Sequence, residues 1–193
     1  MTAETPQSPG DRYTRTAIHL HWIIAGLILC GFVLGWVMTS LAISPLRLRM
    51  VNWHKWVGIS VLLLVALRTL WRLTHTPPVF LPMPRWQRWL ANGVHGALYV
   101  LLFALPVSGW FYSNAAGYPV VYLGLVRLPN LVSKDKLLSQ NLHHLHHLLG
   151  LFVLTAVGLH VMAVIKHHFL DRDGTFSRML FTNSSDNTLH GKP

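Results

Sequence analysis

Between Ala17 and Leu46 the chain contains no Asp, Glu, Lys or Arg. A run of this kind has few folded destinations. About 20 apolar residues cross a bilayer as one helix, and a helix satisfies its own backbone N–H and C=O groups where no water reaches them. A first helix is predicted near 16–39, closed by Ser44 and Pro45. Its apolar stretch is too long for a signal-peptide core, so it is read as a retained span. A second helix is predicted near 51–73, with Lys55, Arg68 and Arg72 toward its ends, where long basic side chains reach the headgroups. No charged residue lies between Arg88 and Arg127, which places a third helix near 91–113, bent or loosened at Pro106. The fourth, near 143–168, is uncharged from His143 to Ile165 apart from its histidines.

The connections read as follows. Prolines in His75–Pro84 demand a loop. Arg85–Leu90 is expected to lie flat at the interface, with Trp86 and Trp89 as aromatic anchors. Ala115–Gln140 carries turn residues and mixed charge, with room for a short interfacial helix. Residues 1–11 are expected to form a mobile tail, 12–180 the membrane domain and 181–193 a disordered tail. The fold class is all-α, an integral membrane four-helix bundle.

Charge sets the orientation. Only 11% of residues are charged, yet the net charge is +10. The basic residues sit at the ends of apolar runs, which is how headgroup anchors are arranged. A nucleic-acid surface would instead show a continuous basic stripe, so that class is excluded. Four helices put both termini on one side. Arg47, Arg49, Lys55, Arg127, Lys134 and Lys136 fall on the other, leaving ten of the 16 basic residues on the terminal side. The positive-inside rule then makes the termini cytoplasmic.

The chemistry lies in the histidines. His146 and His160 are 14 residues apart on the fourth helix, which returns to within roughly 40° of the same face and separates the rings by roughly 21 Å. His21 opens the first helix on the cytoplasmic side and His54 opens the second on the outer side. The expected pairs are His21 with His160 and His54 with His146, each a pair of axial ligands for a haem iron. The single cysteine, Cys30, permits neither a disulfide nor a CxxCH attachment site. The haems are therefore expected to be two non-covalent haems b, with Cys30 a small buried hydrophobe. Small residues near the ligands (Ala25, Gly26, Gly58, Gly150 and Gly158) are expected to let a haem approach, whereas Gly31 and Gly35 suit helix–helix packing.

Other polar groups have less definite roles. His19 competes with His21 but lies about 160° around the helix. His143, His144 and His147 point away from the face of His146 and read as interfacial polar residues or as a metal-binding cluster. His95 is a candidate for hydrogen bonding or proton transfer to a quinone, because an intramembrane histidine is a functional candidate by default. His167, beside His168 at the inner boundary, is a second quinone candidate. Arg68, 14 residues after His54, suits a haem propionate or simple snorkelling. Arg15, Lys55 and Arg72 are weaker propionate candidates.

The segments RYTRTAIHLHW (12–22), WHKWVGISVLLLVALRTLWRLTHTPP (53–78), HGALYVLLFALPVSGW (95–110) and HHLLGLFVLTAVGLHVMAVIKHHFLDRDGTFSRML (146–180) occur in order. Together they resemble the bacterial cytochrome b561 family of four-helix membrane dihaem cytochromes. The resemblance implies iron ligation by His21, His54, His146 and His160. It also implies a place in the bacterial inner membrane, and oxidation of superoxide on the outer side with reduction of ubiquinone in the membrane. Basic residues of the outer face would attract such an anion, although they also read as ordinary loop charges. Two alternatives stand beside this. One is an electron-relay subunit whose donor is a partner redox protein, a helix plan shared with membrane subunits of some hydrogenases. The other is a metal carrier using the His-rich outer segment, a reading weakened by the lack of intramembrane acids.

Overall fold

A computed structural model describes residues 13–75, 78 and 83–180. The tails expected at 1–11 and 181–193, and most of the proline-rich connection, lie outside the described residues. Four helices dominate: α1 (Arg15–Ser40), α2 (Pro45–Thr74), α3 (Arg85–Ala115) and α4 (Lys136–Ile165). Each is long and apolar enough to cross a membrane. The starts of α1 and α3 and the ends of α2 and α4 share one end of the bundle, here the terminal end. The opposite end carries a small β-hairpin and is the hairpin end.

Several boundaries differ from the expectation, each for a local reason. Pro45 does not close α1; it opens α2 one turn and more before residue 51. Proline suits the first helical position because its missing N–H has no partner there. Ser44 is the cap, its hydroxyl accepting from Arg47 N at 3.3 Å. Arg85–Leu90 does not lie flat but forms the first turns of α3, with Trp86 and Trp89 still facing outward. α3 continues through Pro106 without a break. α4 begins at Lys136 rather than near 143, capped by Asp135, whose Oδ1 accepts from Leu138 N at 2.8 Å.

The connection from α3 to α4 contains no interfacial helix. It holds strands β1 (Val121–Tyr122) and β2 (Val126–Arg127), paired antiparallel. The turn between them places Leu123 and Gly124 at φ 52° and 73°. Such left-handed positions suit tight hairpin turns and cost Gly little. The hairpin leaves α3 and lands on α2. Trp56 Nε1 donates to Val121 O at 2.7 Å, and Tyr122 Oη lies 2.9 Å from Ser60 Oγ.

The helices pack in sequence: α1 on α2, α2 on α3, α3 on α4. A cluster of Ile24, Val61 and Val65 sits at the α1–α2 seam, with Leu102, Phe103 and Tyr99 of α3 against it. Among the described residues α4 makes no comparable backbone approach to α1 or α2. The backbone of α4 therefore stands off from the α1–α2 pair, and side chains span the gap between the backbones. Val153, fully buried, sits midway between His146 and His160 on α4. Large apolar side chains such as Leu29, Leu63, Val100 and Leu154 are exposed around the bundle, as lipid contact requires. Cys30 is exposed among them, contrary to the buried position expected of it.

Candidate functional site

Two pairs of imidazoles face each other across the gap. At the terminal end the rings of His21 and His160 have centroids 6.1 Å apart, with planes inclined at 74°. At the hairpin end His54 and His146 are 6.2 Å apart, inclined at 84°. These are the pairs expected from helical spacing. A metal–imidazole bond of about 2.0 Å at each ring, plus about 1.1 Å from nitrogen to ring centre, puts two axial imidazoles about 6.2 Å apart. That spacing is independent of how the two planes are turned about their common axis. The donor set and its separation thus fit a bis-imidazole iron at each end.

The hairpin-end rings are held by their far nitrogens. His54 Nδ1 donates to the carbonyl of Gly31 at 3.0 Å. His146 Nδ1 lies 3.0 Å from both Leu105 O and Ser108 Oγ, and the Ser108 hydroxyl donates to the same carbonyl at 2.8 Å. Engaging Nδ1 in this way fixes the tautomer and leaves Nε2 available to hold a metal. One glycine makes this possible by close approach: a Cβ at Gly109 would stand 2.9 Å from His146 Cε1, whereas one at Gly35 would reach only ordinary contact with His54 Cε1, at 3.4 Å. Gly31 positions His54 through its carbonyl, a role beyond the helix packing expected of it. Gly109 carried no sequence signal beyond its small size.

The glycines expected to admit a haem are open. A Cβ at Gly58 or Gly150, each one turn past a hairpin-end histidine, would meet nothing within 4 Å. Both positions are half-buried. Open space one turn past each of these histidines is compatible with the close approach of a flat macrocycle. Gly26 and Gly158 are likewise unobstructed, on more exposed surface.

At the terminal end a third imidazole joins the pair. The His95 ring lies 5.2 Å from that of His160, and His95 Nδ1 donates to Ala91 O at 2.6 Å. His95 thus has a partner that helix spacing alone did not reveal. The separation is about 1 Å too short for two ligands on one iron by the arithmetic above, so His95 is a neighbour of His160 and not its axial counterpart. Arg68 donates to the carbonyl of Ala17, one turn before His21, which places a guanidinium beside this end of the gap. Arg72 lies over the Tyr99 ring, 5.6 Å from its centroid.

Several other histidines among the described residues are not members of the two pairs. His19 is exposed. His143, His144 and His147 are exposed on α4, with His143 against the Tyr112 ring at 5.2 Å. His167 sits past the end of α4, its Nδ1 2.6 Å from Asp173 Oδ2. At the hairpin end a cleft of about 450 Å³ is lined by Arg127 and Lys134 together with Asn114 and Asn130. Lys55 stands nearby over Tyr118, 5.9 Å from the ring centre.

Known proteins resemble this chain in sequence. Residues 12–182 match the family model described as prokaryotic cytochrome b561. Cytochrome b561 homolog 2 of Escherichia coli K12 is 32% identical over 180 residues, covering 91% of this chain and 95% of the relative. Cytochrome b561 homolog 1 of the same organism is 29% identical over 177 residues, covering 88% and 97%. A protein of Yersinia pestis named probable superoxide oxidase CybB is 27% identical over 175 residues, covering 88% and 96%. With matches that run from the start of α1 to beyond the end of α4, this chain belongs to the prokaryotic cytochrome b561 family, bacterial membrane electron-transfer proteins that hold b-type haem.

Proposed function

We propose that the chain binds two haems b and passes single electrons from superoxide at the hairpin end to ubiquinone at the terminal end. The observation that supports this is the pair of imidazole couples, His21 with His160 and His54 with His146, brought together from separate helices at ring separations of 6.1 and 6.2 Å. His21 with His160, and His54 with His146, are the axial ligands in this reading. Haem, when bound, supplies the one-electron redox couple. The protein supplies position, ligand basicity and access. Two imidazoles per iron would leave no open coordination site, so a small electron donor such as superoxide would deliver its electron without binding the metal.

Arg127, Lys134 and Lys55 give the hairpin end a positive field, which draws an anion to it. Each superoxide surrenders one electron and leaves as dioxygen. Two such electrons and two protons convert one ubiquinone to ubiquinol. In this reading His95 and His167 hydrogen-bond the quinone and hand on protons at the terminal end. Arg68 pairs with a propionate there. In the cell this reading puts the protein in the bacterial inner membrane, both termini cytoplasmic, with the hairpin facing out. The Yersinia pestis relative named as a probable superoxide oxidase supports the choice of donor.

The test starts with purified protein, its haem counted per chain and its redox-difference spectrum recorded. His54→Ala or His146→Ala should remove one haem and spare the other; His21→Ala or His160→Ala should remove the second. Four variants that all keep two haems would refute the ligand set. Rapid mixing with superoxide should reduce the haem, and a soluble ubiquinone should reoxidise it. A specific observation favours one other donor: Leu125 and Val126 at the hairpin are exposed, a surface on which a redox protein would dock. Haem that superoxide leaves oxidised, but a reduced partner protein does not, would select that reading.

A further inference from the structure

α4 does not end as a plain α-helix. It widens into a π-turn over Lys166–Asp171, and Arg172 then takes a left-handed φ of 50°. This reversal gathers three metal-ligating side chains. His167 Nδ1 lies 3.1 Å from Asp171 Oδ2 and 2.6 Å from Asp173 Oδ2. The ligand atoms of all three lie within 4.8 Å of one another. The Thr175 amide donates to Asp173 Oδ1 at 2.9 Å, which keeps the Thr175 side chain close to that carboxylate. Its hydroxyl is buried and, beyond that carboxylate, meets no hydrogen-bond partner among the described residues. A cation already occupies part of the cluster, because the Lys166 ammonium donates to Asp171.

We propose that His167, Asp171 and Asp173 form a divalent-cation site at the terminal end, and that Zn²⁺ is the ion it takes. Nitrogen and carboxylate ligands hold Zn²⁺ at about 2.0–2.2 Å, so neighbouring ligand atoms in a tetrahedral site stand roughly 3.3 Å apart. To reach that spacing His167 Nδ1 must draw back about 0.2 Å from Asp171 Oδ2 and about 0.7 Å from Asp173 Oδ2. One imidazole with two carboxylates suits a borderline cation, whereas Mg²⁺ and Ca²⁺ ask for a fuller oxygen shell. The buried Thr175 hydroxyl or a water completes the fourth position. Lys166 is the internal competitor and must release Asp171 when the ion binds. Seven residues separate His167 from His160, about 10 Å along the helix, so the cation site is distinct from the imidazole pair. The functional consequence rests on the proposed quinone role of His167: an ion on that ring removes its proton chemistry and slows quinone reduction.

The test uses haem-loaded protein carrying His143→Ala, His144→Ala and His147→Ala, which removes the exposed histidines of the other end. Zn²⁺ is titrated against a chromophoric competing chelator, and the haem spectrum reports that the fold is intact. One equivalent of Zn²⁺ should bind. Asp171→Asn with Asp173→Asn should weaken it by about tenfold or more, and Lys166→Gln should tighten it. Binding unchanged in the double Asn variant, or unchanged in Lys166→Gln, would overturn the site. Zn²⁺ that binds as expected while ubiquinone reduction proceeds undisturbed would leave the site standing and remove His167 from the quinone reading.

Discussion

Gly109→Ala tests how tightly the hairpin-end imidazoles are set. A methyl there would stand 2.9 Å from His146 Cε1 and 3.1 Å from Nδ1, whereas ordinary contact begins at 3.4 Å. The ring must retreat by about 0.5 Å, and metal–ligand distances tolerate only about 0.2 Å. The retreat also strains the bonds from Nδ1 to Leu105 O and Ser108 Oγ. Losing the partners that orient a metal ligand typically weakens binding about 10–100-fold, so one haem should fall to partial occupancy. The substitution is otherwise favourable, since Ala exceeds Gly in helix propensity by about 1 kcal/mol. A haem count per chain after purification reads the outcome, with the redox-difference spectrum showing which component is lost. Gly35→Ala is the control: its methyl would meet His54 Cε1 at 3.4 Å and should leave haem content intact. A Gly109→Ala protein with two full haems and an unaltered spectrum would refute the account of His146.

Other outcomes follow from the same geometry. Arg68→Gln removes a unit charge near the terminal pair; at about 10 Å and an effective dielectric near 20 that lowers the midpoint potential of the adjacent haem by roughly 70 mV, which a redox titration measures. His95→Ala should slow ubiquinone reduction while both haems remain, as seen in steady-state turnover beside a haem count. Asp135→Ala deletes the α4 cap and should cost about 1 kcal/mol, read as a lower midpoint in a denaturant or thermal melt. Raising ionic strength should slow reduction by superoxide, because screening weakens the attraction of Arg127, Lys134 and Lys55 for an anion; an uncharged donor should show no such dependence.

Much of the fold is written in charge depletion and spacing. The four spans follow from uncharged runs, and the facing of His21 on His160 and of His54 on His146 follows from helical periodicity plus antiparallel order. The ends of the helices were harder to read. Pro45 serves as well after one helix as at the first position of the next, and only the Ser44 cap decides between them. The first turns of α4, KLLSQNL, carry no sustained apolar face and look like loop; their helicity rests on Asp135 and on the contact with α3. The hairpin was invisible because strands of two residues have no period. At the site, the approach of His95 to His160 and the contacts of Gly31, Gly35 and Gly109 depend on how separate helices lean together. A single residue's neighbours in sequence do not encode that.

The gap beside α4 has a consequence for how the molecule is made. α3 gives α4 its main backbone contact, so α4 resembles a door hung on one side, and in the proposed reading two haems would act as its bolts. Ligands that bind only the closed form stabilise it by mass action, so insertion of porphyrin becomes the closing event of assembly. Steady-state amounts of the mature protein should then rise and fall with the cell's supply of haem, independently of how much polypeptide is synthesised.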